Sequence, residues 1–176
     1  NAISARPPMV AFSSGGRKDT LRNVEATGEF PCSVATWDLR DAMNLTSAPV
    51  AAGVDEFALA GLEPAPSLRV RPPRVAASPA AFECRLWKTV PLPSPRGDSE
   101  GDWTLVIGEV VAIYLDDACV RDGLVDTAAM RPIARMGYMD YAVVTPETTF
   151  TLQRPLASPD GLSAVPQEGA WDGVYR

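Results

Sequence analysis

The sequence predicts a mainly β protein, an antiparallel barrel carrying a few short helices, and three observations point that way. Trp103 to Leu115, WTLVIGEVVAIYL, is long and apolar on both faces, as suits a strand inside a closed or nearly closed sheet. Ala80 to Val90 alternates instead, with Phe82, Cys84 and Leu86 on one face and Glu83 and Arg85 on the other. Further short apolar runs are separated by loops that Pro64, Pro66, Pro72, Pro73, Pro91, Pro93 and Pro95 mark, a pattern that fits a barrel better than a doubly wound parallel sheet.

Taken in order, Pro8 to Ser13 and Glu29 to Thr36 are short strands bounded by turn residues. Between them lies a helix in which Leu21 and Val24 share a face, Asp19 or Lys18 is the N-cap, and Gly28 follows the last turn. Asp38 to Thr46 is a second helix, with Leu39, Ala42 and Met43 at helical spacing, and Asp55 to Ala60 a third, whose Asp55 and Glu56 suit the positive end of the helix dipole. Gly108 permits a bend in the long strand, RGDSEGD reads as a hairpin tip, and Asp116 with Asp117 makes a solvated turn. A helical turn is expected at Thr127 to Met130, and short strands at Tyr141 to Val144 and Thr148 to Leu152. One domain over 1–155 is followed by an irregular tail, 156–176, expected to wrap a surface or a neighbour.

Composition narrows the chemistry. With 176 residues, 46% of them hydrophobic, the chain can bury the core of one domain, and a net charge of -6 makes nucleic acid and membrane surfaces poor partners. There is no histidine, so no Ser-His-Asp relay and no histidine-bearing metal site can be built, and no metal is expected. Cys32, Cys84 and Cys119 are odd in number and embedded in apolar sequence, which suits buried thiols in a reducing, cytoplasmic compartment.

The stretch with the most chemical character is AFSSGGRKDT. Ser13, Ser14, Gly15 and Gly16 close a strand, Arg17 and Lys18 follow, and Asp19 and Thr20 open a helix. Backbone N–H groups at a helix N-terminus, hydroxyl donors, a close glycine approach and two cations together favour a phosphate. A solvated turn before a capped helix has the same spacing, and from spacing alone the two readings are even.

The ordered series RPPMVAFSS, RKDTLRNVEATGEF, AMNLTSAP, GVDEFALAGL, RPPRVAASPAAFECRL, VIGEVVAIYLDD and RPIARMGYMDYAVV resembles the flavin reductase-like family of FMN-binding split-barrel proteins, from Pro7 to about Pro155. The resemblance implies an antiparallel Greek-key split β-barrel, a homodimer with FMN in a groove at the subunit interface, and flavin reduction by NADH or NADPH, often to supply a separate monooxygenase. It makes Ser13, Ser14, Arg17, Lys18, Asp19 and Thr20 the FMN phosphate and ribityl loop, with Asp19 capping the helix or orienting a cation. Asn1 and Ser4 match a segment beside the isoalloxazine, and Arg135 and Tyr141 a segment approaching the active-site groove, where a Tyr138 ring would narrow the nicotinamide approach. Asn44, Thr46 and Ser47 either line that groove or, by the better-weighted reading, end a helix; Trp37, Trp87, Trp103 and Trp171 read as core or interface packing. The family carries an early strand pair ahead of the equivalent of Asn1, so residues upstream of Asn1 are expected, because a barrel lacking strands would expose unpaired edges. No catalytic side chain is implied, since hydride transfer to flavin needs no protein acid. The expected function is an NAD(P)H:flavin oxidoreductase; the alternatives are a non-catalytic FMN carrier or sensor of the same fold, and an assembly subunit that has lost its cofactor.

Overall fold

In the computed structural model, residues 2–94, 103–169 and 171 are described; the expected hairpin tip RGDSEGD and Asn1 lie outside them. The elements in chain order are β1 (Ala2–Ala5), β2 (Pro8–Gly15), α1 (Asp19–Thr27), β3 (Glu29–Ser33), α2 (Arg40–Leu45), α3 (Glu56–Ala60), β4 (Pro64–Ala65) and β5 (Arg74–Val75). There follow β6 (Ala80–Pro91), β7 (Trp103–Leu115), β8 (Val120–Arg121), β9 (Leu124–Val125), α4 (Thr127–Met130), β10 (Ile133–Arg135), β11 (Tyr141–Val143), β12 (Leu156–Ala157) and β13 (Ala164–Val165). The main sheet is antiparallel in every pairing, with the order β1-β2-β7-β6-β3.

β6 and β7 are the spine. They pair from Ala80 opposite Leu115 to Pro91 opposite Thr104, and irregularities between Glu83 and Cys84 and between Leu86 and Lys88 bend the ladder and sharpen its twist. α1 lays Leu21 and Val24 against Val10, Phe30, Cys84 and Val106, with Phe12 and Phe30 meeting edge to face at 5.4 Å between centroids. Burying Leu21 and Val24 contributes about 1.5–3 kcal/mol apiece. Gly28 ends the helix in the left-handed conformation, its N–H donating to Val24 O, so the chain can turn directly into β3.

Some expectations gain detail and others need correcting. Gly108 pairs with Leu86 at one of the ladder's irregularities, and it also answers a close approach, because a Cβ there would stand 2.4 Å from Phe30 Cζ and 3.1 Å from the Arg85 carbonyl oxygen. Glu83, on the face opposite Phe82, is buried, and it accepts from the backbone N–H of Leu68 at 2.7 Å and of Arg69 at 2.5 Å, pinning the proline-rich loop onto the sheet, a role the alternation alone does not carry. The expected strand at Thr148 to Leu152 is absent. Pro146 instead starts a 3-10 turn at Pro146–Thr148 with a reciprocal Thr145 and Thr148 capping box, and residues 149–155 stay irregular. α2 starts two residues late, since the chain first turns at Asp38 and Leu39, with Leu39 N–H donating to Thr36 O.

Other readings match. Asp55 caps α3 by accepting from Phe57 N–H at 2.9 Å, α4 forms at the expected turn, and Asp116 accepts from Ala118 N–H at 2.9 Å in a solvent-exposed turn. Cys84 and Cys119 are buried free thiols, while Cys32 is half-buried beside Cys84. The Cys32 thiol and burial push Cys84 above the ordinary thiol range, and burial does the same to Cys119, so both stay protonated at neutral pH. No helix among the described residues is long and apolar enough to cross a membrane.

Candidate functional site: an anion loop and a distant aromatic groove

The strand-to-helix turn brings the expected loop residues together, with duties that differ in part from the expectation. Alternation along β2 turns Ser14 inward, where its hydroxyl donates to Gly16 O at 3.2 Å and braces the turn, while Ser13 faces solvent. Gly16 has φ +70, which a side chain would strain. Lys18 is the N-cap residue, yet neither it nor Asp19 caps the helix by side chain; Asp19 instead pairs with Arg22, orienting a cation. The first-turn N–H groups of α1, with exposed Thr20 among them, therefore remain open toward solvent. Arg17 reaches Glu25 at 2.8 Å with its side chain 69% exposed, a surface pair that little energy holds in place. The Lys18 carbonyl accepts from Arg22 N–H at 3.1 Å, while among the described residues no hydrogen bond or ion pair engages its ammonium, which is available to a ligand.

Trp103 completes this end of the sheet. It pairs with Gly15, and a Cβ on Gly15 would sit 3.2 Å from the indole, so the ring lies over glycine backbone beside the loop. Sequence reading gave Trp103 to core or interface packing; the signal that it flanks the loop is the cross-strand register, which no local pattern carries.

Ser4 is not near this loop. It pairs with Met9 and its hydroxyl accepts from Arg6 N–H at 3.3 Å. Met9 and Ser14 are separated by roughly 17 Å of strand at the usual rise per residue.

Arg135 and Tyr141 do come together, as cross-strand partners in the β10–β11 hairpin. Arg135 Nη1 donates to Tyr141 Oη at 3.0 Å and Nε to Tyr138 O at 3.1 Å, which fixes the guanidinium 5.2 Å from the Tyr141 ring. They line a groove of about 490 Å³ with Trp37, Arg40, Asn44 and Met139. Arg40 lies 4.1 Å over the Trp37 ring and pairs with Asp41, which also lines the groove, and Arg131 is 5.9 Å from that ring and pairs with Asp38. Tyr138 is 93% exposed and is not among the residues lining the groove. Thr46 and Ser47 donate to Met43 O and Asn44 O and so end α2, as the plainer reading had it, while Asn44 lines the groove. Trp37 and Arg40 were missed as groove residues, although their spacing of three is the interval at which side chains meet at a helix start.

The loop and the groove lie at opposite ends of the sheet. Gly15 pairs with Trp103, whereas Ser33 pairs with Ala81 and Ala81 with Tyr114; Trp103 and Tyr114 are roughly 35 Å apart along the strand. A bridge between Thr36 and Pro132 hooks the groove's hairpin onto that far end.

The model of the flavin reductase like domain matches residues 1–133, three quarters of the chain. The chain belongs to the flavin reductase like family. An uncharacterized protein of Deinococcus radiodurans is 38% identical over 77% of this chain, which spans 60% of that relative's length. The solved structure of nitrilotriacetate monooxygenase component B from Bacillus cereus is 29% identical, with a TM-score of 0.78 over 86% of this chain and 75% of that one. A flavin reductase from Shewanella frigidimarina with a split barrel domain, 24% identical, covers 90% of this chain and 75% of its own at a TM-score of 0.73, which establishes the shared split-barrel fold. The stretch matched to the flavin reductase like domain holds the whole main sheet and the Ser13–Thr20 loop; Arg135 and Tyr141 fall past its end.

Proposed function

We propose that this chain is an FMN-binding NAD(P)H:flavin oxidoreductase of the cytoplasm that works as a homodimer. Family membership supports flavin oxidoreductase chemistry, and the likeness to a monooxygenase component supports a monooxygenase as the consumer of the reduced flavin. The observation that carries FMN is the turn at the head of α1, with the unengaged Lys18 ammonium, the loosely held Arg17, open first-turn N–H groups and glycine backbone. A phosphate monoester fits this set of hydroxyls, N–H groups and cations, the neighbouring Asp19 and Glu25 carboxylates being paired with Arg22 and Arg17.

When bound, the flavin supplies the redox chemistry and accepts hydride from the nicotinamide. The protein's share is binding and orientation. Lys18 and Arg17 neutralise the phosphate, Ser13 and Thr20 donate to it, and Ser14 holds the turn by its bond to Gly16. At the groove, the rings of Trp37 and Tyr141 provide flat apolar walls for a nicotinamide dinucleotide, and Arg40 and Arg135 counter its phosphates. This second, cationic aromatic cleft favours a reductase over a carrier or sensor, which would need the flavin site alone.

The test is a visible absorption spectrum of the protein with added FMN, followed by anaerobic NADH and then NADPH. Bleaching of the flavin band is expected with at least one donor. Bound FMN that stays oxidised with both would make the protein a carrier or sensor.

A further inference from the structure

We infer that a cavity behind α2, apart from both the anion loop and the Arg135–Tyr141 groove, is a second small-molecule site that takes a neutral single-ring phenol. It goes beyond the FMN and nicotinamide reading and does not depend on it.

The three longer helices pack differently. α1 buries Leu21 and Val24 to 1% and 3% exposure, whereas the α2 and α3 segments carry Leu39, Met43 and Phe57 and leave all three only half-buried. The space those side chains face is unfilled. With Ala35, Leu62 and Val75 they surround a cavity of about 230 Å³ between the end of β3, the two helices and β5. Protein interiors seldom leave voids larger than a water molecule, and an apolar cavity of about 150 Å³ stays dry and takes up benzene. At less than half the groove's volume of about 490 Å³, this one suits a single substituted ring.

The polar groups in its wall select the substituent. Ser33 Oγ accepts from Val75 N–H at 3.1 Å, and among the described residues its own O–H has no acceptor, so a donor is left over. Thr46 spends its O–H on Met43 O at 2.8 Å and keeps only lone pairs. Glu56 is exposed, which puts it at the rim, and among the described residues no ion pair or hydrogen bond engages its carboxylate. No cation lines the wall, so an anionic ring is repelled. A protonated amine would satisfy Glu56 but has no lone pair for Ser33. A phenol oxygen serves either partner, donating to a carboxylate and accepting from a hydroxyl, while the ring meets Phe57 and the soft Met43 thioether.

Met43 lines both the cavity and the groove, so α2 is the partition between them, and its methyl reports on the site. Met139 lines the groove and not the cavity, which separates the two locations.

The test uses the full chain labelled with methyl-13C methionine and titrated with phenol, toluene and benzoate. Phenol should shift the Met43 methyl saturably, with a Kd on the order of 1 mM for so small a ligand, while Met139 stays in place. Benzoate should shift neither. Ala35→Leu fills the cavity and should abolish binding of phenol and toluene alike, with circular dichroism checking the fold. Glu56→Gln, at an exposed position, should weaken phenol about 5-fold and leave toluene, which has no hydroxyl, within about 2-fold of wild type. No saturable shift at Met43, or a shift at Met139 in its place, would overturn the inference. So would phenol binding that survives in folded Ala35→Leu, benzoate binding as well as phenol, or phenol affinity unchanged in Glu56→Gln.

Discussion

The two ends of the β6–β7 ladder are built on different principles. The candidate anion loop is contiguous, residues 13–20, with three residues between the end of β2 and the start of α1, and its donors are set by backbone geometry that the local sequence dictates. The groove is assembled from residues near 37–44 and 133–143, held together by the Thr36–Pro132 bridge and by arginines stacked on rings. A contiguous loop depends first on its own turn and on the strand that leads into it; an assembled groove inherits every defect of the sheet that positions it.

That contrast can be broken at the loop with the largest effect. Replacing Arg17 and Lys18 together with Ala removes two charge-assisted contacts, each worth about 1.5–3 kcal/mol, so FMN should bind on the order of 100-fold more weakly or worse. Thermal stability should barely move, because among the described residues the ion pair lost is the surface one between Arg17 and Glu25. Isothermal titration with FMN and a melting curve check both halves of that statement.

Gly108 lies between the two ends and should injure both. A valine there drives its side chain into the Phe30 ring and toward the Arg85 carbonyl, costing about 1–3 kcal/mol by overpacking, read as a lowered Tm with FMN affinity and reduction rate both reduced. An unchanged Tm would mean that the β3–β7 contact is looser than the 2.4 Å approach indicates.

Glu83 sharpens the comparison from the other side. In Glu83→Ala the N–H groups of Leu68 and Arg69 lose their acceptor beneath the proline-rich loop, at a cost of about 1–3 kcal/mol. Faster hydrogen exchange should appear at residues 66–75 while FMN affinity stays within about 2-fold of wild type. The smallest effect belongs to Tyr141→Phe. It removes one exposed hydrogen bond to Arg135, so stability should change by less than about 1 kcal/mol, and only the KM for the nicotinamide donor should rise, by roughly 2- to 5-fold.

The sequence was most readable where structure is local. The turn from β2 into α1, the Gly28 stop, the Asp55 cap and the apolar spine of β7 were legible because each is encoded within a few neighbouring residues. The burial of Glu83 was not legible because alternation gives only its face, and two donors from a loop fifteen and fourteen residues away, beside an irregularity in the ladder, settle it. Thr148 to Leu152 has strand-like composition but no strand opposite it; Pro146 and the threonine capping box took its start into a turn. The loop of the candidate site was therefore visible in advance. Trp103 beside it, the Trp37–Arg40 wall of the groove and the length of sheet between loop and groove depend on register and on distant segments, which no single stretch of sequence records.

The central claim is that the Ser13–Thr20 turn binds a phosphate monoester carried on a flavin. It is tested most directly by titrating wild type and the Arg17→Ala/Lys18→Ala chain with FMN and with riboflavin, which lacks the phosphate. The wild type should favour FMN on the order of 100-fold, and the double variant should bind both ligands about as weakly as the wild type binds riboflavin. Equal wild-type affinity for the two flavins, or a preference that survives loss of both cations, would contradict the claim.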